Sequence, residues 1–256
     1  MNPIKTFWIH KDILWSLTAK NLKSRFVGSA LGFLWAFITP LLLALIVSYV
    51  FTNIFKNGPE NFYLFIIAGM LPWTFFAGSL QDAVVSIPAN APLLKQFSAP
   101  REFIPLALVL THFIFLMLGL LVVMPFFISA GTEGFGSLPP LAAALFFHLL
   151  FTGGLALLFA AVYVFFRDIS PILNTALLFW LWLTPVFFSV EMISPENRMI
   201  FEWNPMTPFI NLYRSALLGT ELAAKDLFAA AGAGVVSLIV GYGIFYRQKG
   251  DFLKRI

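Results

Sequence analysis

The sequence predicts an all-α integral membrane protein. Six transmembrane helices follow an amphipathic interfacial helix, and short re-entrant helices lie outside between the fifth and sixth. Three observations carry this. The 256 residues are 60% hydrophobic and only 11% charged, with a mean hydropathy of +0.88, whereas soluble chains hold roughly 45–50% apolar and 25% charged residues. Stretches free of Asp, Glu, Lys and Arg run from Phe26 to Phe55, Asn61 to Gln81, Phe103 to Thr132, Gly134 to Phe166, Ile169 to Val190 and Leu227 to Tyr246. Each is long enough to cross a hydrocarbon core of about 30 Å as a helix. Of the 16 Lys and Arg residues, all but Lys56, Arg198, Arg214 and Lys225 then fall on the side of the termini. Cationic loops stay in the cytoplasm, so both termini are expected there, in a multi-pass protein.

The chain reads as a single transmembrane domain over 1–256. Residues 11–26 form the interfacial helix, in which Trp15, Ala19, Leu22 and Phe26 recur at helical spacing beside a polar stripe of Asp12, Ser16, Lys20 and Lys23. Its basic residues suit anionic headgroups of membrane lipids. Arg25 ends this segment, which runs straight into the first span at 27–55. Met1 to Ile9 lacks the apolar core and cleavage site of a secretory signal, so targeting is assigned to that first span.

The second and third spans occupy 61–81 and 103–130, joined by a cytoplasmic loop in which Pro88, Pro92 and Pro100 forbid a long helix. Within its 88–101 core, Asn90 is a plausible N-cap for a short helix ending at Phe97. Leu93, Leu94 and Phe97 then form a small apolar knob. Such a knob either folds back on the membrane or enters a groove on another protein, and the groove is the favoured reading.

The fourth span, 138–166, ends in Phe165-Phe166-Arg167-Asp168-Ile169. That boundary anchors the helix or contacts the same partner, with nothing in the sequence to choose. After the fifth span at 169–190, the external segment is too apolar to be a solvated loop. Ser194-Pro195-Glu196 and Thr207-Pro208 read as two helix starts, and Gly219 as a stop. The helices within 194–218 are expected to bury Phe201, Trp203, Phe209, Ile210, Leu212 and Leu217 and to act as an outer gate. The last span, 227–246, carries Ala229 and Ala233, and Ala230 and Gly234, at four-residue spacing. This permits close helix contact within the chain or between two copies.

Several chemistries are excluded. With no cysteine, disulfides, thiolate catalysis and Cys-based metal sites are absent. The net charge of +4 sits beside apolar runs rather than on a basic face interleaved with aromatics, which argues against nucleic acid. His112 and His148 are the ionisable residues of near-neutral pKa within the charge-free runs. Without an acidic companion they make a poor metal site or ion-coupled relay, and the expected role is a hydrogen-bonded interhelical contact or a pore lining. No GxxxxGK[ST] loop is present, so this chain holds no cofactor of its own and any ATP with its magnesium belongs to another subunit. No internal repeat of the kind found in secondary transporters was found.

Aromatic residues make up 17% of the chain. Phe33 and Phe37 lie four apart on the first span. Trp180, Thr184 and Phe187 share one face of the fifth, and Phe179 and Trp182 an adjacent one. Aromatic faces suit the C–H faces of sugar rings, although core packing is the simpler role for any one of them.

Taken together, Arg25-Phe26-Val27-Gly28-Ser29-Ala30-Leu31-Gly32-Phe33-Leu34-Trp35 through Pro40, Gly69-Met70-Leu71-Pro72-Trp73, Asn90-Ala91-Pro92-Leu93-Leu94-Lys95 with Pro100-Arg101, Phe165-Phe166-Arg167-Asp168-Ile169 and Asn204-Pro205-Met206-Thr207-Pro208 resemble the permease subunits of ABC-2-type polysaccharide exporters. These move O-antigen, capsule or teichoic-acid chains across the bacterial inner membrane. The resemblance implies a homodimeric permease, not an enzyme, working with two copies of a separate ATP-binding-cassette subunit on a lipid-linked glycan. It assigns ATPase coupling to Lys20, Lys23, Arg25, Asn90, Leu93, Leu94, Lys95, Phe97 and Arg101. Asn204, Pro205, Pro208 and Tyr213 would belong to the external gate, and Phe33, Phe37, Trp180, Thr184 and Phe187 to a dimeric tunnel. An ABC-2 exporter of a small lipid or drug, and an intramembrane enzyme acting on lipid-linked sugars, are the alternatives.

Overall fold

A computed structural model of the chain describes residues 3–25, 34–54, 61–96, 100–132 and 138–255. All regular structure among the described residues is helical, without strands. Helix α1 spans Pro3–Ser24. It is followed by α2, Trp35–Tyr49, which widens into a π-helical turn over Val50–Ile54. Next come α3, Phe62–Val84, the short α4, Ser86–Ala89, and α5, Ala91–Gln96. Two long helices, α6 (Phe103–Ser129) and α7 (Leu138–Phe165), lead to the shorter α8, Ile169–Leu183. The chain ends with α9 (Pro195–Glu202), α10 (Thr207–Leu218), α11 (Ala224–Gln248) and α12 (Phe252–Arg255).

Four of these, α3, α6, α7 and α11, are long and apolar enough to cross a bilayer, while Ile38–Ile54 and Ile169–Leu183 are shorter apolar helices. The fifth apolar run therefore departs from its expected course. A helix was anticipated over 169–190, but α8 stops at Leu183 and Thr184 is extended, at φ −101° and ψ 134°. The apolar run continues as a buried turn because Pro185 follows, and the residue before a proline is driven out of the helical region.

The two helices α7 and α11 form the tightest pair. At Gly154 an added Cβ would strike the backbone of Ser237, and at Gly241 it would strike the carbonyl of Gly154. Lipid tails are as apolar as leucine, so close backbone approach supplies the attraction that burial cannot. The Ser237 hydroxyl adds an interhelical hydrogen bond to the Phe151 carbonyl at 2.8 Å. Ala230 and Gly234 are buried here, Gly234 against the Phe147 carbonyl. One small-residue pair of the last span is thus consumed by packing within the chain.

The main core gathers α3, α6, α7, α10 and the turn after α8. A second cluster closes one end of the bundle, with Ile87, Leu94, Ile104, Val164, Phe245 and Phe252 buried together and Leu17 of α1 against them. The last turn, α12, was not expected. Phe252 plugs this end, with ring centroids 5.1 Å from Phe245 and 6.2 Å from Phe165.

Helix α1 also turns a different face inward from the expected one. Among its described side chains Leu14 and Thr18 are the buried ones, while Trp15 is 62% exposed. The packed stripe is displaced by one residue from the Trp15, Ala19, Leu22 series, because α1 lies on α6 through Leu14 against Phe103 and Ala107. A tryptophan left outside suits a bilayer interface.

Candidate functional site

Two polar constructions lie at opposite ends of the bundle. At the end closed by α12, Arg25 follows α1 and Asp82 sits in the last turn of α3, which continues past the charge-free run. The Arg25 guanidinium and Asp82 carboxylate are in contact as an ion pair. His112 of α6 places Nε2 2.8 Å from Asp82 Oδ2 and 3.0 Å from Arg25 Nη2. One carboxylate therefore ties the end of the interfacial helix to two long helices. Gly78 makes this possible, since a Cβ there would lie 2.5 Å from the His112 ring.

The expectation of a hydrogen-bonded contact holds for His112 and fails for His148. His148 is fully buried, and neither ring nitrogen has a hydrogen-bond partner among the described residues. Aromatic rings enclose it instead, Phe75 edge-on and Phe209 stacked, each at 4.9 Å. The sequence carries no sign that the two histidines differ, and it places Asp82 just past the end of the second span. The available signal was that an acidic residue directly at a span's edge needs a partner.

The expected coupling residues collect near this same end. Lys20, Lys23 and Lys95 are exposed, Asn90, Leu93 and Arg101 are half-buried, and Phe97 lies outside the described residues. Leu94 corrects the knob reading. It is 6% exposed, inside the end cluster, so within a single chain it is covered rather than standing out as part of an exposed knob. Nor does Asn90 cap α5 with its side chain. Its Nδ2 donates backwards to the Ser86 carbonyl at 2.9 Å, because α4 ends on it.

At the opposite end, Asn204 is the organising residue. Its Nδ2 donates to the Leu183 carbonyl at 2.8 Å and to Thr184 Oγ1 at 2.9 Å. Its Oδ1 accepts from Trp180 Nε1 at 2.8 Å and from the Met206 backbone at 2.9 Å. All four hydrogen-bonding capacities of the amide are filled. Trp180 and Thr184 are thus tied to the gate hairpin, with Trp180 in edge contact with Phe76 at 5.1 Å. Phe187 and Thr184 are buried within the chain. They lie beyond the end of α8, so they do not extend a helical face from Trp180. The exposed aromatics of α8 are Phe179 and Trp182, at 63% and 61%. Phe33 lies outside the described residues, as does the side chain of Phe37.

The gate pair is unequal. Helix α10 is buried along most of its length, including Pro208, Phe209, Ile210, Leu212, Tyr213 and Leu217, and Gly219 ends it at φ 74°, a conformation natural to glycine. Helix α9 has no buried residue, and Trp203 is 78% exposed, against the expectation that both helices and this ring would be covered. Pro205 is exposed as well. Thr207 is inside α10 rather than its cap, and its hydroxyl donates to the Phe201 carbonyl at 2.6 Å.

Comparison with known proteins decides the family. The chain matches the ABC-2 type transporter family over residues 13–218. It belongs to that family. It is 30% identical over 261 positions to the O-antigen export system permease protein RfbA of Myxococcus xanthus, covering 99% of this chain and 98% of that one. With the RfbA protein of Klebsiella pneumoniae the identity is 28%, over 94% and 93% of the two chains. The polysialic acid transport protein KpsM of Escherichia coli is 22% identical, over 96% and 97%. This ABC-2 family member is a multi-pass membrane protein and, by lineage, a transporter permease subunit. Among its described residues no His, Asp and Glu cluster could hold a metal ion.

Proposed function

We propose that this ABC-2 family chain is the permease subunit of an ATP-driven exporter that carries a polysaccharide across the bacterial inner membrane. The observation that carries the reading is the end-to-end likeness to permeases named for O-antigen export. The cargo is proposed to be a lipid-linked glycan of the O-antigen, capsular or teichoic-acid kind. Two copies of the permease work with two copies of a separate ATPase, and both termini face the cytoplasm. Six crossings are included in the proposal, with α2 and α8 as the shorter ones. The cation distribution favours this orientation.

In this reading the ATPase docks beneath α1 and the α4–α5 loop, where Lys20, Lys23 and Lys95 are free to meet it. Movement of α1 passes through Arg25 and Asp82 to α3 and through His112 to α6. That route uses contacts already present, whereas a push on Leu94 would have to open a packed cluster. The tunnel between two copies is proposed to use the exposed α8 face, with Phe179 and Trp182 offering their rings to sugar C–H faces. Trp180, Thr184 and Phe187 support it from within.

The test is purification of the tagged chain from its host in mild detergent, followed by an ATPase assay with candidate glycans. A stoichiometric P-loop ATPase stimulated by a lipid-linked glycan is the expected result. Stimulation by a small lipid or drug, with none by glycans, would replace the polysaccharide with that cargo. A chain that purifies without any ATPase would overturn the reading.

A further inference from the structure

A cavity of about 880 Å³ opens between the α9–α10 turn, the start of α11 and Phe65 of α3. It lies at the far end of α3 from Asp82 and at the far end of α11 from Gln248. Its size falls within the roughly 300–1,000 Å³ of small-molecule sites. We propose that this cavity receives a sugar unit of the exported chain, and that its charge favours neutral or amine-bearing sugars over acidic ones. The proposal rests on the export reading, which makes this end the exit.

Three features of the lining support a sugar. Trp203 borders the cavity while being 78% exposed, so a large ring with its own N–H donor stands open at the rim, suited to a face that is apolar above and hydroxylated at its edge. Asn211 and Asp226 form a prepared polar pair, Nδ2 to Oδ2 at 3.1 Å, which fixes the carboxylate and leaves its second oxygen to accept from a hydroxyl. Glu202 and Glu221 add further acceptors, and hydroxyl-to-carboxylate hydrogen bonds are among the stronger ones.

The charges point to the kind of sugar. Glu202, Glu221 and Asp226 face Lys225 and Arg214 in the lining. Arg214 is committed elsewhere. It is 5% exposed, donates from Nη2 to the Val186 carbonyl at 2.9 Å, and lies 3.5 Å over the Phe65 ring. Neither contact cancels the guanidinium charge, so the lining holds three carboxylates against two cations, while its accessible rim carries three carboxylates and one ammonium. A polyanionic glycan would bring like charge against this rim, a repulsive element of the sort that sets specificity.

The experiment uses the full complex in host cells. A photoreactive side chain, Trp203→p-benzoylphenylalanine, should give light-dependent adducts with the exported glycan. The same group at Met199, exposed on α9 away from the lining, should give roughly tenfold fewer. Adducts that are absent at 203, or equal at both positions, while export continues would overturn the cavity assignment and leave the export reading standing. A wild-type strain that exports no glycan would sink the export reading itself. The charge claim is tested on the purified complex by saturation-transfer NMR with chitotriose and with trisialic acid. The expected result is a chitotriose signal lost in Trp203→Ala, with trisialic acid roughly fivefold weaker, about 1 kcal/mol. Trisialic acid equal to or above chitotriose, or no Trp203-dependent signal from either, would overturn it.

Discussion

His112 and His148 are both buried in neighbouring long helices, yet they are held in opposite ways. His112 is joined to Asp82 and, through it, to Arg25. His148 touches rings on two elements, α3 and α10, with both nitrogens unpaired among the described residues. A polar side chain can thus be accommodated as part of a charged junction or as a flat neutral ring among other rings. Only the first makes distant segments depend on one another. The arrangement near His112 joins α1, α3 and α6, whereas that near His148 fills space between α3, α7 and α10.

The sharpest way to break the comparison is Gly78→Val. The added carbons enter the His112 ring's position, so α6 must move from α3 and the junction opens. Overpacking of this kind costs about 1–3 kcal/mol, and a loss of most export together with a lowered thermal midpoint in detergent is expected. An unchanged midpoint would show that the ring moves aside freely. Next in size is Asp82→Ala, which leaves Arg25 and His112 as neighbours without their shared acceptor. The side chains of Arg25 and Asp82 are each 36% exposed, so solvent screening holds the ion-pair share to roughly 1 kcal/mol, and the His112 hydrogen bond lost with the same carboxylate brings the expected cost to about 2–3 kcal/mol. ATPase activity should persist while its coupling to export falls, as read by ATP consumed per glycan delivered.

The two histidines then separate under the same substitution. His112→Phe removes a hydrogen bond to a charged group and is expected to cost about 1.5–3 kcal/mol. By contrast, His148→Phe exchanges one flat ring for another in a site that offers its nitrogens nothing, so a change below about 1.5 kcal/mol in either direction is expected. Paired unfolding or aggregation midpoints measure the difference. Equal losses from both would place a hidden polar partner beside His148.

The sequence reading recovered the helices more closely than the site. The Asn204-Pro205 break and the Gly219 stop lie where α9 and α10 divide and end, since proline and glycine act locally. Leu94 and Trp203 were assigned the wrong surroundings, one thought exposed and one thought buried, because each depends on what α12 and α10 cover. Asp82 was passed over because its two partners lie 57 and 30 residues away in sequence. Its importance is a property of three helix ends meeting.

By itself the sequence determined that this is a helical membrane protein, and where its long apolar helices lie. A charge within the hydrocarbon core is too costly for long uncharged runs to mean anything else. The tertiary structure alone decided which face of each helix turns inward. In lipid the outside of a bundle is as apolar as its core, so hydrophobic periodicity loses its power to tell them apart. Glycine contacts such as Gly154 on Gly241 and the junction at Asp82 make that choice instead.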